Sequence, residues 1–321
     1  MTTARDPGFV RRLREVMGGE VREAEPLGRY STYRIGGPAT VALPGTVEDV
    51  AAALRLAAEA EVPVFPLGLG SNVLLPDEGL EALVLRLGKG LDQVEARGDL
   101  WRFGAGLPAP IAARRTAEAG WAGLHMMVGV PGTVGGGVYM NAGCHGGDWA
   151  QVVTRVVTVD RAGEIAERAR GAIPFAYRHS GLGSLVVVET EVRLSPGDPA
   201  TLAAEVQRLF TWRQQGTPFN QPCCGSVFTN PHWPEGPPSP SLRTAGQLIE
   251  ACGLKGTREG GAVVSEMHAN YFVNTGTATA ADVRRLMDRA EAAVLARFGV
   301  RLRPEVKVIS PQGTPPTTHD S

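Results

Sequence analysis

The spacing of apolar residues predicts helices and strands along most of the chain. Apolar positions at helical spacing predict a helix over residues 46–60, and Thr46 with Asp49 resembles a capping pair at its start. Residues 279–298 show the same pattern. Further helices are expected over residues 108–119, 201–215 and 244–252. Short apolar or β-branched runs predict strands over residues 62–67, 83–87, 100–103, 152–159, 185–192, 260–264, 271–274 and 303–309.

The first 45 residues have a weaker pattern. Apolar residues at positions 10, 13 and 16 predict one helical face in a charged lead-in. Tyr33, Ile35 and Val41 alternate with other residues as they would in a strand, and Arg34 lies at a turn beside a glycine pair. Taken alone, Arg34 is an ordinary surface charge.

Composition narrows the possible classes of protein. The chain has 321 residues, of which 43% are hydrophobic and 6% aromatic, so two or three domains with aliphatic cores are expected. The net charge of −1 argues against a protein held to nucleic acid by bulk charge. The four cysteines lack metal-ligand or disulfide spacing, and we see neither a signal peptide nor a membrane-spanning run. We expect no metal.

Residues 129–143, with the sequence GVPGTVGGGVYMNAG, contain six glycines. Glycine costs conformational entropy, so such a cluster requires a positive φ or a close backbone approach. Successive backbone amides in such a segment form a nest that binds anions such as phosphate. The segment therefore predicts a site for a phosphate-bearing ligand; the alternative is a tight loop between strands that binds nothing.

A second glycine turn, residues 68–72, follows the strand predicted at 62–67. The sequence GLGSN resembles the start of a dinucleotide-binding fingerprint, but Val73 stands where the third glycine belongs. No acidic residue follows at the spacing that ribose binding requires. We therefore reject a Rossmann site, and no P-loop is present.

Eight sequence blocks, in order, resemble the UDP-N-acetylenolpyruvoylglucosamine reductase family. These flavoenzymes complete UDP-N-acetylmuramate in bacterial cell-wall synthesis. The resemblance covers about residues 32–309. The blocks are YRIGG, GLGSNVLL, VGVPGTVGGGVYMNAG, FAYRHS, CGSVFTNP, AGQLIEACGLKG, GGAVVSEMHANYFVN and RPEVKVI.

The resemblance implies an α+β fold with a two-part FAD-binding module of the p-cresol methylhydroxylase-like type, residues 1–80 and 81–215, and a C-terminal α+β substrate-binding domain, residues 216–310. Residues 311–321 are expected to form a disordered tail. The implied cofactor is non-covalent FAD, with NADPH as hydride donor. We expect a cytoplasmic monomer that acts on small molecules, with no nucleic-acid or membrane partner.

The resemblance also implies a set of cofactor-binding residues, in two loops around the pyrophosphate and flavin and in the YRIGG block. They are Arg34, Gly68, Gly70, Ser71, Asn72, Gly129, Pro131, Gly132, Thr133, Gly136, Asn141 and Gly143.

Three residues match the family's catalytic positions. In the implied reaction, hydride passes from NADPH to FAD and then to Cβ of the enolpyruvyl group, which leaves a carbanion at Cα. Ser226 matches the proton donor, and Arg178 and Glu305 match residues that stabilise the intermediate. Without the resemblance, Ser226 is a turn serine and Glu305 a solvent-facing charge at a strand edge.

The substrate site departs from the family pattern. Family members often carry lysine where Thr229 stands, and a longer polar or basic residue near Gly216 and Thr217. Arginines elsewhere would then have to bind the substrate diphosphate. The expected substrate-binding residues are Tyr177, Arg213, Asn230, Arg243 and Arg258.

Two other functions use part of this pattern. Another FAD enzyme of the same superfamily, such as an alcohol or hydroxy-acid oxidase, needs the glycine loops but not the contexts of Ser226 and Glu305. A nucleotide-sugar binding protein without catalysis has no need of an intact Arg178, Ser226 and Glu305.

Overall fold

A computed structural model describes residues 3–233, 236–237 and 239–314. Residues 315–321 of the expected disordered tail lie outside this range, as do three residues of the proline-rich stretch 234–240. The helices are α1 (Pro7–Val16), α2 (Val47–Glu59), α3 (Ala109–Glu118), α4 (Val134–Tyr139), α5 (Pro199–Gly216), α6 (Ala245–Ala251) and α7 (Ala280–Phe298).

The strands are short and numerous. They are β1 (Glu20–Pro26), β2 (Pro38–Leu43), β3 (Val64–Leu67), β4 (Val73–Leu74), β5 (Leu83–Arg86), β6 (Val94–Arg97), β7 (Leu100–Gly104), β8 (Trp121–Ala122), β9 (Gly143–Cys144), β10 (Gly147–Asp148), β11 (Val153–Val159), β12 (Ile165–Ala169), β13 (Val186–Arg193), β14 (Ser195–Pro196), β15 (Arg258–Glu259), β16 (Ala262–Val264), β17 (Phe272–Asn274) and β18 (Lys307–Val308).

The chain forms two compact units. The first comprises the described residues of Met1–Glu25, Ala39–Leu69 and Leu80–Trp212, and the second those of Pro26–Pro38, Gly70–Gly79 and Arg213–Ser321. The division into domains at residues 80 and 215 stays a prediction.

The first unit contains two main sheets around one apolar core. One sheet has the order β1-β2-β5-β3, with β5 parallel to both β2 and β3. The other is antiparallel, in the order β12-β11-β13-β7-β6. Aliphatic side chains dominate the core, with Trp149 and Phe103 its largest fully buried side chains. The aliphatic core expected from the composition is therefore present.

The second unit has its own core. Its antiparallel sheet has the order β15-β16-β17, and β18 pairs with β4 in parallel. The long helix α7 begins with a capping box: the Thr279 hydroxyl accepts from the Asp282 N–H, and the Asp282 carboxylate accepts from the Thr279 N–H. Val283, Leu286 and Val294 of this helix are buried, as the apolar pattern predicts.

Two strand predictions were wrong or too long. Of the three residues whose alternation predicts a strand, Val41 lies in β2, which begins only at Pro38, whereas Tyr33 and Ile35 precede that strand in a segment with a turn at residues 32–33. Tyr33 and Ile35 are nevertheless buried in the second core, so their alternation reflects burial of a turn. The strand expected over residues 303–309 is regular only in β18.

Two other predictions concern helices. In α1, residues at positions 10 and 13 are buried as expected, but Val16 is exposed and Phe9 takes part in the core instead. Residues 129–143 include the helix α4, where the sequence predicts only a loop.

Among the described residues, no helix has both the length and the apolarity needed to cross a membrane.

Candidate active site

Close packing explains two of the three glycines of α4 in the first unit, Gly135 and Gly137. A Cβ on Gly135 would lie 2.7 Å from the Cβ of Ala105, and one on Gly137 would lie 2.4 Å from Nε1 of Trp149. Of the six glycines in residues 129–143, Gly132 alone has a positive φ, 141°. Gly135 and Gly137 therefore allow the short helix to pack closely against its neighbours, and a positive φ is not the reason for them. Nothing among the described residues around the exposed Gly136 requires a glycine.

The first N–H groups of α4 are already used within the protein. The Val134 N–H donates to the Leu107 carbonyl at 2.8 Å, and the Gly135 N–H donates to the Ala105 carbonyl at 2.9 Å. The Gly136 N–H donates to the Thr133 hydroxyl at 3.2 Å. The anion nest expected here cannot use these three groups.

Other backbone N–H groups in the two glycine loops are available. Those of Gly132 and Thr133 have no hydrogen-bond partner among the described residues. In the loop 68–72, the same is true of Gly68, Leu69 and Gly70, and also of Asn72. Gly68, Leu69, Gly132 and Thr133 belong to the first unit, where a Cβ on Gly68 would lie 2.5 Å from the Thr133 hydroxyl oxygen. Available backbone donors in two such neighbouring loops suit a diphosphate, so the residues present fit a dinucleotide cofactor.

The loop 68–72 also requires glycine. A Cβ on Gly68 would lie 2.5 Å from the Thr133 hydroxyl oxygen. Gly70 has a φ of 61°, and a Cβ on it would lie 2.1 Å from the Tyr30 carbonyl oxygen. Side chains at these two positions would displace their neighbours, which ties both glycines to the loop shape.

The remaining expected cofactor residues have varied surroundings. Arg34 is exposed at a turn, has a φ of 57°, and forms no ion pair or side-chain hydrogen bond with another described residue. Gly129 is buried at the end of a short 3-10 helix (His125–Gly129), and Pro131 is exposed. Ser71 is half-buried. Their contact with a cofactor stays a prediction.

Arg178 lies on a tight turn in the first unit. The Ala176 N–H donates to the His179 carbonyl at 2.8 Å, and the His179 N–H donates back at 3.1 Å. Tyr177 and Arg178 are thus the two central residues of a hairpin turn. Arg178 has a φ of 55°, a conformation that costs a non-glycine residue about 1 kcal/mol. Its guanidinium carbon lies 4.8 Å from the centre of the Tyr177 ring.

Asn141, predicted as a cofactor ligand, has its side chain bonded inside the protein. Its Nδ2 donates to the Ala176 carbonyl at 2.9 Å and to a carboxylate oxygen of Asp148 at 3.3 Å. Its Oδ1 accepts from the Ala150 N–H at 3.0 Å. The side chain is buried. These bonds favour a positioning role over direct contact with a cofactor.

Ser226 and Glu305, far apart in sequence, are brought together in the second unit. Phe228 and Pro304 form an isolated antiparallel bridge. In this pairing the Glu305 N–H donates to the Val227 carbonyl at 2.7 Å, directly after Ser226. Both candidate catalytic residues are half-buried. Backbone hydrogen bonds therefore fix the Ser226 and Glu305 positions relative to each other.

A buried asparagine holds the same pairing. The Oδ1 of Asn270 accepts from the Phe228 N–H at 3.0 Å, and its Nδ2 donates to the Phe228 carbonyl at 2.8 Å. The Asn270 carbonyl also accepts from the Val227 N–H at 2.9 Å. Sequence analysis did not single out Asn270, although it lies in the quoted block GGAVVSEMHANYFVN; an amide between apolar residues was the available signal.

Cys224 links the segment before Ser226 to the 70–74 region of the second unit. Its sulfur lies 3.1 Å from the Val73 carbonyl oxygen and 3.6 Å from that of Gly70. Burial raises the pKa of the Cys224 thiol to about 12, so the group is a neutral hydrogen-bond donor at ordinary pH. Its role is structural.

Of the expected substrate residues, Arg213 is the most constrained. Its guanidinium carbon lies 5.5 Å from the centre of the Tyr271 ring, and His268 packs edge-on against the same ring at 4.8 Å. Burial, and then the charge of Arg213, lower the pKa of His268. The cluster therefore has one permanent cation and a neutral imidazole at pH 7.

The other expected substrate residues are exposed. Tyr177 is 61% exposed, and Arg243 and Arg258 lie on the surface of the second unit. The Asn230 side-chain oxygen accepts from the Ala245 N–H at 3.1 Å, so Asn230 also ties down the start of α6. Substrate contact by these residues stays a prediction.

Family models match both parts of the chain. Residues 38–168 match an FAD binding domain, and residues 217–309 match the C-terminal domain of UDP-N-acetylenolpyruvoylglucosamine reductase. The expected α+β chain with an FAD-binding module and a C-terminal domain is confirmed. The p-cresol methylhydroxylase-like type of that module stays a prediction.

Individual relatives agree over nearly the full length. UDP-N-acetylenolpyruvoylglucosamine reductase 2 of Symbiobacterium thermophilum is 43% identical over 302 residues, which is 92% of this chain and 95% of that protein. The reductase of Rubrobacter xylanophilus is 42% identical, covering 89% and 94%.

A solved structure supports the same relationship. The crystal structure of the reductase from Thermus caldophilus matches with a TM-score of 0.77 at 31% identity, covering 90% of this chain and 99% of that one. Sequence, domain order and three-dimensional structure agree, and the chain belongs to the UDP-N-acetylenolpyruvoylglucosamine reductase family.

Proposed function

We propose that this protein reduces UDP-N-acetylglucosamine enolpyruvate to UDP-N-acetylmuramate with NADPH and bound FAD, in the synthesis of the peptidoglycan precursor. The observation that carries the proposal is the backbone pairing that sets Ser226 beside Glu305, in a chain whose relatives are reductases of this name. An oxidase or a passive sugar-binding protein has no need of this pairing.

FAD, when bound, supplies the relay that brings the hydride of NADPH to Cβ of the enolpyruvyl group. The C=C bond becomes a single bond, with new C–H bonds at Cβ and Cα, and the consumed reactants are NADPH and one proton. The protein must therefore stabilise negative charge at Cα and its carboxylate, and deliver the proton to Cα.

Each catalytic residue has one task. Ser226 delivers its hydroxyl proton to Cα, which a weak acid does only toward a strongly basic carbon held within hydrogen-bond reach. Arg178 offers a planar fork to the substrate carboxylate. Glu305 acts as a protonated or proton-sharing group in the bound state, since two bare carboxylates would repel each other.

The cofactor diphosphate is assigned to backbone donors. The N–H groups of Gly68 and Leu69 would bind it, with those of Gly132 and Thr133 in the other loop of the first unit. Arg34, Gly70 and Asn72, in the second unit, stay expected cofactor residues. Arg213 is the first candidate for the substrate diphosphate, because Tyr271 fixes its position.

We also propose that the protein acts in the cytoplasm as a monomer. NADPH and UDP-linked sugars are made and used in that compartment. Size-exclusion chromatography with light scattering measures the oligomeric state. A mass near 33.9 kDa is expected for the monomer, and a stable mass of twice that value would contradict the monomer proposal.

The first test is the visible spectrum of the purified protein. Flavin bands that bleach with NADPH, and return anaerobically when the enolpyruvyl sugar is added, would support both half-reactions. No flavin bands after incubation with FAD would favour a sugar-binding protein. Return of the bands with oxygen or an alcohol, but not with the enolpyruvyl sugar, would favour another FAD enzyme.

The second test is Ser226→Ala, with Ser241→Ala as the control at an exposed serine of the same unit. Reduction of the flavin by NADPH should stay near wild type in both. Oxidation of the reduced flavin by the enolpyruvyl sugar should fall roughly 10²–10⁴-fold in Ser226→Ala alone, the usual contribution of a positioned acid. Equal losses in both half-reactions would refute the proton-donor role.

A further inference from the structure

The segment that carries Arg178 is tied to one short stretch of chain, residues 139–143, at three points. Before the turn, the Ala176 carbonyl accepts from Nδ2 of Asn141 at 2.9 Å. At the turn, Nη2 of Arg178 donates to the Gly143 carbonyl at 3.0 Å. After the turn, a third bond is made by a buried serine.

That serine is Ser180. Its hydroxyl donates to the Tyr139 carbonyl at 2.6 Å and accepts from the Leu182 N–H at 3.4 Å. Ser180 is 1% exposed and Asn141 2% exposed, so both bonds lie where water does not compete. Residues 139–143 thus hold the start, the charged side chain and the end of the Arg178 turn.

The turn needs such support. Two backbone hydrogen bonds inside the turn join Ala176 and His179, and Arg178 has a left-handed backbone that a non-glycine residue adopts at a cost. Without external bonds, the turn can relax and move the guanidinium. A displacement of about 1 Å in a catalytic group can cost roughly 10²-fold in rate.

We propose that residues 139–143 form a platform that positions Arg178, and that Asn141 and Ser180 are positioning residues for the step that uses Arg178. The proposal rests on the proposed function of Arg178. It replaces the expected role of Asn141 as a cofactor ligand, because the amide group has its partners in Ala176, Asp148 and Ala150.

Rapid-kinetic measurement of the two half-reactions tests the proposal on the holoenzyme. Asn141→Ala and Ser180→Ala remove the bonds at the two ends of the turn independently, so either variant decides if the other fails to fold. The control is Thr116→Val in α3, which removes an equally buried hydroxyl of the same unit whose bonds stay within its own helix.

In both variants, oxidation of the reduced flavin by the enolpyruvyl sugar should slow at least tenfold. Reduction by NADPH, and the Kd of FAD measured by flavin fluorescence, should stay within about twofold of wild type. Thr116→Val should change neither half-reaction. Asn141→Ala could instead weaken FAD binding and slow reduction by NADPH as much as it slows oxidation by the enolpyruvyl sugar. That result would overturn the proposal in favour of direct contact between Asn141 and the cofactor.

A double-mutant cycle with Arg178→Ala separates this inference from the proposed function. If Asn141 acts through Arg178, adding Asn141→Ala to Arg178→Ala should cost less than twofold more. If the rate losses of Asn141→Ala and Arg178→Ala multiply in the double variant, Asn141 does not act through Arg178, and the platform is overturned. If Arg178→Ala slows oxidation of the reduced flavin by the enolpyruvyl sugar while Asn141→Ala and Ser180→Ala do not, the platform is overturned and the proposed function stands. If Arg178→Ala leaves that step at the wild-type rate, the proposed function is overturned together with the platform.

Discussion

The Arg178 turn and the Ser226–Glu305 pairing solve the same problem by different means. Arg178 lies on a two-residue turn with a strained backbone, held by side-chain bonds to residues 139–143. Ser226 and Glu305 lie beside paired backbone, where N–H and C=O groups set the spacing. Backbone pairing tolerates many side chains, whereas a strained turn depends on particular ones. Substitutions around Arg178 should therefore act more on catalysis, and those around Ser226 more on stability.

The largest effect on the turn side is expected for Arg178→Lys. Lysine keeps the charge but loses the planar fork that bonds Gly143 and suits a carboxylate. Oxidation of the reduced flavin by the enolpyruvyl sugar should slow about 10²-fold, near 3 kcal/mol. The control is Arg114→Lys, another arginine stacked on an aromatic ring of the same unit. An equal loss of the NADPH step would contradict this explanation.

On the pairing side, Asn270→Ala should act first on stability. The change leaves the buried N–H and carbonyl of Phe228 without their partners, at a cost of about 2–4 kcal/mol in the free energy of unfolding. Asn270→Asp keeps the acceptor but sets a buried carboxyl oxygen against the Phe228 carbonyl, so it should also destabilise the protein. Denaturant unfolding at saturating FAD measures both. If stability is unchanged but oxidation of the reduced flavin by the enolpyruvyl sugar is slow, the Ser226–Glu305 pairing, like the Arg178 turn, depends on side-chain positioning.

A smaller effect is expected at the start of α7. Backbone hydrogen bonds from Thr279, with Gly261 and the ion pair to Arg285, lower the pKa of the Asp282 carboxyl. Its stabilisation is therefore present above the ordinary pKa of aspartate and lost as the pH falls through the lower folded value. Asp282→Asn should cost about 1 kcal/mol at pH 7, and the difference from wild type should shrink below about pH 4.

Urea unfolding of both proteins across pH 3–8 checks this prediction. A constant difference at every pH would show that hydrogen bonding by the cap, and not its charge, supplies the stabilisation. Activity per folded enzyme should match wild type at pH 7, which separates this site from the pairing around Ser226.

The smallest effect concerns the thiol before Ser226. Because burial raises its pKa to about 12, Cys224 should resist a thiol reagent at pH 8 in the native enzyme. The half-buried Cys252 should react sooner. Mass spectrometry after timed labelling distinguishes the two. Early labelling of Cys224 would mean that the paired region opens readily and is less rigid than the turn.

Much of the local structure was predictable because it depends on short-range patterns. The capping boxes at Thr46 and Thr279 marked the starts of α2 and α7, since a cap needs only residues three apart. The strand predicted from the alternation of Tyr33, Ile35 and Val41 is present only at Val41, in β2. Tyr33 and Ile35 are buried outside any strand, and burial alone does not distinguish a turn from a strand.

The candidate site was predictable only in part. The sequence, through its resemblance to the family, named Arg178, Ser226 and Glu305. It did not reveal that the first N–H groups of α4 are occupied. Nor did it reveal Ser180 and Asn270, because their partners are carbonyl and N–H groups of distant residues that leave no trace in a local pattern.

The sequence by itself determined the helices with their caps, the glycine positions, the family and the identity of the candidate catalytic residues. These follow from neighbours in the chain or from matching blocks. The tertiary structure alone decided which glycines serve close packing, which amides are available to a ligand, and which groups the Asn141 side chain bonds. Each of these depends on hydrogen bonds and contacts between residues far apart in sequence, which form only when the chain has folded.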